Sequence, residues 1–167
     1  PLVSEGQLRD VLGYVQKGIE EGATLVCGGE RYTEGECAKG YFMRPTIFDN
    51  CTSDMTIVRE EIFGPVVTIQ TFQTEEEAIA LANDTIYGLA GGVFTHQLER
   101  ALRVVKEVRA GITWVNAFNP TYNEAPWGGY KMSGIGRELG VHGLEEYQEI
   151  KQVNINLTPG PAGWYEH

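Results

Sequence analysis

Val66-Val67-Thr68-Ile69-Gln70-Thr71-Phe72, running into Gln73-Thr74-Glu75-Glu76-Glu77-Ala78-Ile79-Ala80-Leu81-Ala82-Asn83, is the stretch that decides the fold. The β-branched run over 66–72 predicts a strand. Thr74 and Glu77 then stand at the spacing of a capping box, and Ala78, Ile79, Leu81 and Ala82 give the following helix its apolar face. The same order repeats downstream. Gly91 to Thr95 predicts a short buried strand, and Thr95 caps a helix with the stripe Leu98, Ala101, Leu102, Val105 and Val108. Arg103 and Glu107 add an i,i+4 pair, and Gly111 ends that helix. Ile112 to Val115 is the next strand. Strands alternating with helices predict an α/β fold with a mostly parallel sheet.

Upstream, Ser4 and Gln7 form another capping box, opening a helix with Leu8, Val11, Leu12, Val15 and Ile19 on one face and Gly22 at its end. Thr24 to Cys27 reads as a short strand, 28–40 as a polar loop, and Tyr41 to Phe48 as an extended segment broken by Pro45. Downstream, a loop of five glycines, Ala125 to Gly140, is followed by a short helix around Leu139 to Tyr147. Gln152 to Leu157 alternates polar and apolar residues, the pattern of a half-buried strand. The tail at 159–167 is rich in proline and glycine. No internal repeat and no linker divides the chain.

Bulk properties narrow the function. The 167 residues carry a net charge of −10, which disfavours phosphate backbones and anionic lipid; nucleic acid and membrane are therefore not expected partners. The N-terminus has no charged-then-apolar signal pattern. Cys27, Cys37 and Cys51 leave at least one thiol unpaired and show no C-x-x-C spacing, which points to a reducing cytoplasm. The three N-x-T sequons, at Asn50, Asn83 and Asn156, then read as chance matches. The start at Pro1, with a helix almost at once, suggests a piece of something longer.

The glycine loop resists a phosphate reading. Gly134, Gly136 and Gly140 miss the dinucleotide spacing by one residue, and no hydrophobic strand leads directly into them. Phosphate-loop spacing from Gly129 to Gly134 fails as well, because Ile135 and Gly136 stand where Lys and Ser/Thr are needed. His96 with Glu99 and His142 with Glu145 are ordinary i,i+3 pairs, so no metal is expected. Glu75 to Glu77 reads as a solvated first turn that offsets the helix dipole. No cysteine has a His or a basic cluster beside it to make a nucleophile. Glu60-Glu61-Ile62-Phe63-Gly64-Pro65 is more specific, because a rigid turn can aim a carboxylate and a ring to one side. A carboxylate accepts from paired sugar hydroxyls, and a ring makes a wall for a flat heterocycle. Chemistry alone leaves this reading level with a strand-entry turn bearing a surface Glu.

Glu60 to Val66, Asn83-x-x-x-Tyr87-Gly88-Leu89-Ala90, Gly111-x-x-Trp114-Val115-Asn116 and Ala125 to Gly140 together resemble the C-terminal third of the NAD(P)-dependent aldehyde dehydrogenases, from Pro1 to about Leu157. Pro126 to Gly129 and Leu144 to Tyr147 are most similar to the branch that oxidises glycine betaine aldehyde. The resemblance implies the far end of a catalytic domain over 1–150 and an oligomerisation strand within 151–158, through which a homo-oligomer forms. In the family a cysteine attacks the aldehyde, hydride passes to nicotinamide, and a glutamate activates water to hydrolyse the thioester.

By position, the resemblance places Glu61 on the nicotinamide ribose, Phe63 beside the nicotinamide and Glu138 in a proton relay. It implies NAD as cofactor, with NADP as the alternative, and a small aldehyde as substrate. Trp127 falls on a substrate-tunnel aromatic that faces a trimethylammonium head. One indole gains only about 0.5–2 kcal/mol from a cation, so it needs partners. Tyr122 and Thr121 are the candidates to line the same mouth. No Gly-Gln-x-Cys nucleophile segment occurs in these residues, so the chain alone is expected to be inactive. A non-catalytic assembly module or a proteolytic remnant is the alternative for this polypeptide.

Overall fold

The computed structural model describes residues 1–158 and 160. Helix α1 (Glu5–Glu20) opens as its capping residue dictates: Ser4 Oγ accepts from Gln7 N at 3.1 Å. After Gly22, at φ 95, the chain enters β1 (Thr24–Cys27). β2 (Thr46–Asp49) pairs antiparallel with β1, and β3 (Val66–Thr68) lies parallel on its other side. The short α2 (Thr56–Arg59) bridges β2 and β3. Its first turn is capped from α1, where Glu21 accepts from Thr56 N at 2.7 Å and from Thr56 Oγ1 at 2.6 Å. These hydrogen bonds to the charged form hold the Glu21 carboxyl below its usual range.

Leu8, Val11 and Val15 of α1 pack with Phe48, Met43 and Ile57 to form the main core. Phe48 and Val11 are both fully buried.

A second, two-stranded parallel sheet pairs β4 (Ala90–Val93) with β5 (Ile112–Val115). Helix α4 (Leu98–Glu107) packs against it, and α3 (Glu75–Asn83) packs against α4. The two halves are joined by Arg59, which donates to Asp84 Oδ2 at 2.9 Å and Oδ1 at 3.0 Å. Two of the three strand pairings are parallel, as expected. No helix among the described residues is long and apolar enough to cross a membrane.

Several local expectations change. The strand expected over 66–72 stops at Thr68, because its partner β2 ends at Asp49. Thr95 does not cap α4. Asn116 binds its backbone on both sides, at 2.8 Å and 2.9 Å, and the helix starts after Gln97 instead. Arg103 turns away from Glu107 and chelates Glu75 at 2.9 Å and 3.1 Å, while Arg100 adds a third contact at 3.1 Å. Glu75 is thus an interhelical ion pair rather than a solvated face, and Arg103 above all lowers its pKa.

α4 ends at Glu107 and is capped by Val108, so Gly111 does not terminate it. Gly111 is small for another reason: an added Cβ would collide with the Gly128 carbonyl of the glycine loop. Residues 152–157 form no strand, and Val153, Ile155 and Leu157 are exposed. A strand needs a neighbouring edge, and none is offered among the described residues. The expected loose tail at 159–167 lies, Gly160 apart, outside the described residues.

Candidate functional site

The Glu60–Pro65 turn leaves α2 and feeds β3. Ile62 packs down against the core and anchors it. Next to it, Phe63 adopts φ 57, a left-handed backbone that an aromatic residue rarely takes. Its ring is 72% exposed. The chain then closes tightly, with Val66 N donating to Gly64 O at 2.8 Å. The two adjacent carboxylates have different environments. Glu60 accepts from Tyr14 Oη at 2.8 Å, whereas Glu61 makes no hydrogen bond or ion pair among the described residues. A free carboxylate beside an exposed ring, on a turn held from below, can take a diol and a flat heterocycle together.

The glycine loop builds a second surface. Its entry is fixed by Gly88, whose carbonyl accepts from Gly111 N at 3.0 Å and from Tyr130 N at 2.8 Å. Ser133 Oγ accepts from Gly88 N at 3.0 Å. Lys131 Nζ donates to the carbonyls of Asn83 and Thr85, both at 3.0 Å, and ties the loop to the end of α3. Asn83 in turn donates to Glu107 O and accepts from Arg109 N, at 2.9 Å and 2.7 Å. The short motifs around Asn83, Gly88 and Gly111 are therefore the scaffold on which the loop hangs.

Within the loop, Trp127 and Glu138 exchange both backbone hydrogen bonds at 2.7 Å. This pairing brings the two sites together across ten residues of loop. Trp127 is half-buried, and its ring stands 6.3 Å from that of Trp114 at 54°. Trp114 also meets Phe118 at 5.6 Å and donates Nε1 to Pro120 O at 3.1 Å. Trp114 and Phe118 form the base of the aromatic wall. The sequence signals Trp114, which sits in the Gly111-x-x-Trp114-Val115-Asn116 motif, but not Phe118, and only the fold stacks Trp114 on Trp127.

Thr121 and Tyr122 are exposed on the segment that leads into this loop. Thr121 Oγ1 reaches Asn119 O at 3.5 Å, and Tyr122 O accepts from Ala125 N at 3.1 Å. Neither lines the open cleft of about 960 Å³ that Trp127, Gly129, Ser133, Glu138, Leu144 and Tyr147 border. The cleft continues to α5 (Gly140–Glu145), where His142 Nδ1 lies 3.2 Å from Glu145 Oε2. Among the described residues, no hydrogen bond or ion pair joins Glu61 or Phe63 to Thr121, Tyr122, Trp127 or Glu138.

A sequence model of the aldehyde dehydrogenase family matches residues 1–153. The chain is similar to betaine aldehyde dehydrogenase of Bacillus subtilis (strain 168), at 54% identity over 165 residues, 99% of this chain and 34% of that protein. It is also similar to peroxisomal aminoaldehyde dehydrogenase 2 of Pisum sativum, at 51% identity over 166 residues, 99% of this chain and 33% of that protein. Among solved structures, betaine aldehyde dehydrogenase of Staphylococcus aureus in complex with NAD+ matches with a TM-score of 0.95 and 46% identity, covering 100% of this chain and 33% of that one. The chain spans about a third of the length of these relatives.

Proposed function

The chain belongs to the aldehyde dehydrogenase family, and from that membership we propose that it forms the C-terminal third of an NAD-dependent enzyme oxidising betaine aldehyde, or a related aldehyde, to the carboxylate. The observation that carries this reading is the Glu60–Pro65 turn, where Tyr14 engages Glu60 and leaves Glu61 free beside the outward ring of Phe63. The donor set fits the cofactor. Glu61 is an acceptor for the paired hydroxyls of the nicotinamide ribose, and Phe63 is a wall for the nicotinamide itself. NAD, when bound, accepts the hydride that leaves the aldehyde carbon. NADP would suit the same two residues, because the two cofactors share this half.

Trp127 faces the substrate's cationic head, stiffened by Trp114 behind it and by its backbone pairing with Glu138. Thr121 and Tyr122 do not line the cleft that Trp127 borders, and their part in substrate binding is confined to its outer rim. Glu138, exposed and without a side-chain partner among the described residues, relays protons from the general base. Three free cysteines support a reducing, cytoplasmic setting.

The test uses the complete enzyme. Betaine aldehyde with NAD is expected to yield NADH, and Trp127→Ala to raise KM for betaine aldehyde about two- to thirtyfold, the range of one cation–π contact. KM for an uncharged aldehyde of similar size should move little, and Glu138→Gln should lower kcat without changing that selectivity. Equal KM increases for both aldehydes would refute the role of Trp127.

A second reading rests on a different observation. Val153, Ile155 and Leu157 alternate with polar residues and are 69%, 75% and 87% exposed, without a strand neighbour among the described residues. They suit a strand at 151–158 that joins a sheet of a second copy, beside a catalytic portion over 1–150. On this reading the polypeptide serves assembly. Removing 151–158 from the complete enzyme is expected to turn an oligomer into smaller species in light scattering. An unchanged mass would dismiss the strand.

A further inference from the structure

Helix α1 places Gln7, Val11 and Tyr14 at i, i+4 and i+7, a single face of a helix. All three meet the Glu60–Pro65 turn. Gln7 Nε2 donates to Phe63 O at 2.8 Å, while its Oε1 accepts from Val3 N at 2.8 Å and is thereby oriented. Val11 is fully buried and lies so close to Gly64 that an added Cβ there would come within 2.7 Å of both Val11 methyls. Tyr14 Oη donates to Glu60 Oε2 at 2.8 Å.

The turn needs this support. Phe63 holds a left-handed backbone at φ 57, and its ring, 72% exposed, makes too little contact to hold it there. The hydrogen bond from Gln7 is the contact that reaches the strained residue directly. Tyr14 acts on the neighbouring carboxylate. By engaging Glu60 it fixes the start of the turn and removes the only other acceptor of the same chemistry adjacent to Glu61.

We infer that Gln7 and Tyr14 are positioning residues for nicotinamide-cofactor binding, holding the turn so that Glu61 and Phe63 face the cofactor in one fixed orientation. Neither need touch the cofactor for this. Gln7 sets the Phe63 backbone and Tyr14 decides which of the two glutamates is available. The inference rests on the proposed role of Glu61 and Phe63.

The experiment is run on the complete enzyme, with NAD binding measured by quenching of protein fluorescence and steady-state kinetics in both substrates. Gln7→Glu keeps an acceptor for Val3 N but loses the donor to Phe63. It is expected to weaken NAD binding and raise KM for NAD about two- to tenfold, the scale of one hydrogen bond, with KM for the aldehyde unchanged. Tyr14→Phe removes only the hydroxyl and is expected to shift the same parameter in the same direction. Should Gln7→Glu not fold, Tyr14→Phe decides alone. Variants that lose thermal stability while keeping wild-type KM for NAD, or that raise both KM values equally, would overturn the positioning role. A wild-type enzyme that binds no NAD would instead overturn the functional reading, and the inference with it.

Discussion

The purified 167-residue polypeptide is expected to form no NADH from betaine aldehyde and NAD above the buffer rate. Thioester chemistry needs a thiolate beside the carbonyl carbon and a base for water. The three thiols present do not meet the first need. Cys27 leaves β1 with Sγ 3.8 Å from Pro45 O, and Cys37 lies on a 3-10 turn (Gly35–Lys39) between β1 and β2. Cys51 is buried just after β2, and desolvation pushes its pKa up, away from the reactive thiolate. All three belong to the half built on β1, β2 and β3, whereas Trp127 hangs from β5 in the other half. The assay compares this chain with the complete enzyme at equal molarity. Turnover by a homogeneous sample of the chain would mean that one of these cysteines reacts, and would overturn the expectation that the chain alone is inactive.

Phe48→Ala is expected to destabilise the chain by about 3–5 kcal/mol, the range for removing a buried aromatic side chain. Phe48 is 0% exposed and sits on the central strand, between Leu25 of β1 and Thr68 of β3. Its ring tip reaches Gly18 of α1, where an added Cβ would lie 3.3 Å from Cζ and 2.7 Å from Ile57 Cδ1. The void would therefore open at the junction of α1, α2 and the sheet, where the packing is too tight to collapse easily. Such a loss is a large part of the roughly 5–15 kcal/mol that holds a typical domain. Urea unfolding should show a much lower midpoint at an unchanged slope. A loss below about 1 kcal/mol would show that Phe48 is not the keystone of this core. Because α1 also carries Gln7 and Tyr14, slackening here should reach the Glu60–Pro65 turn.

Local chemistry was readable wherever a side chain acts on its own neighbours. Ser4 and Thr74 cap the helices they were expected to cap, because the bond from each hydroxyl to the amide three residues on is a local event. β1 and β5 have the bounds expected from their residues. Thr95 misled because Asn116, distant in sequence, claims its backbone. Arg103 misled because Glu75 on a packed helix offers two oxygens in fork geometry, a better partner than Glu107 on its own helix.

The sequence by itself determined the α/β order, the starts of α1 and α3 and, through its ordered motifs, the aldehyde dehydrogenase family. It also singled out the Glu60–Pro65 turn, with its carboxylates and its ring. Only the tertiary structure decided which carboxylate that turn leaves free, since Tyr14 is 46 residues from Glu60 in the chain. Tertiary packing likewise decided that Gly111 makes room for the glycine loop and that Trp127 rests on Trp114. The reason is the same in each case. Capping and periodicity depend on residues within one turn or strand, whereas close approach and the choice of hydrogen-bond partner depend on which distant surfaces the fold presses together.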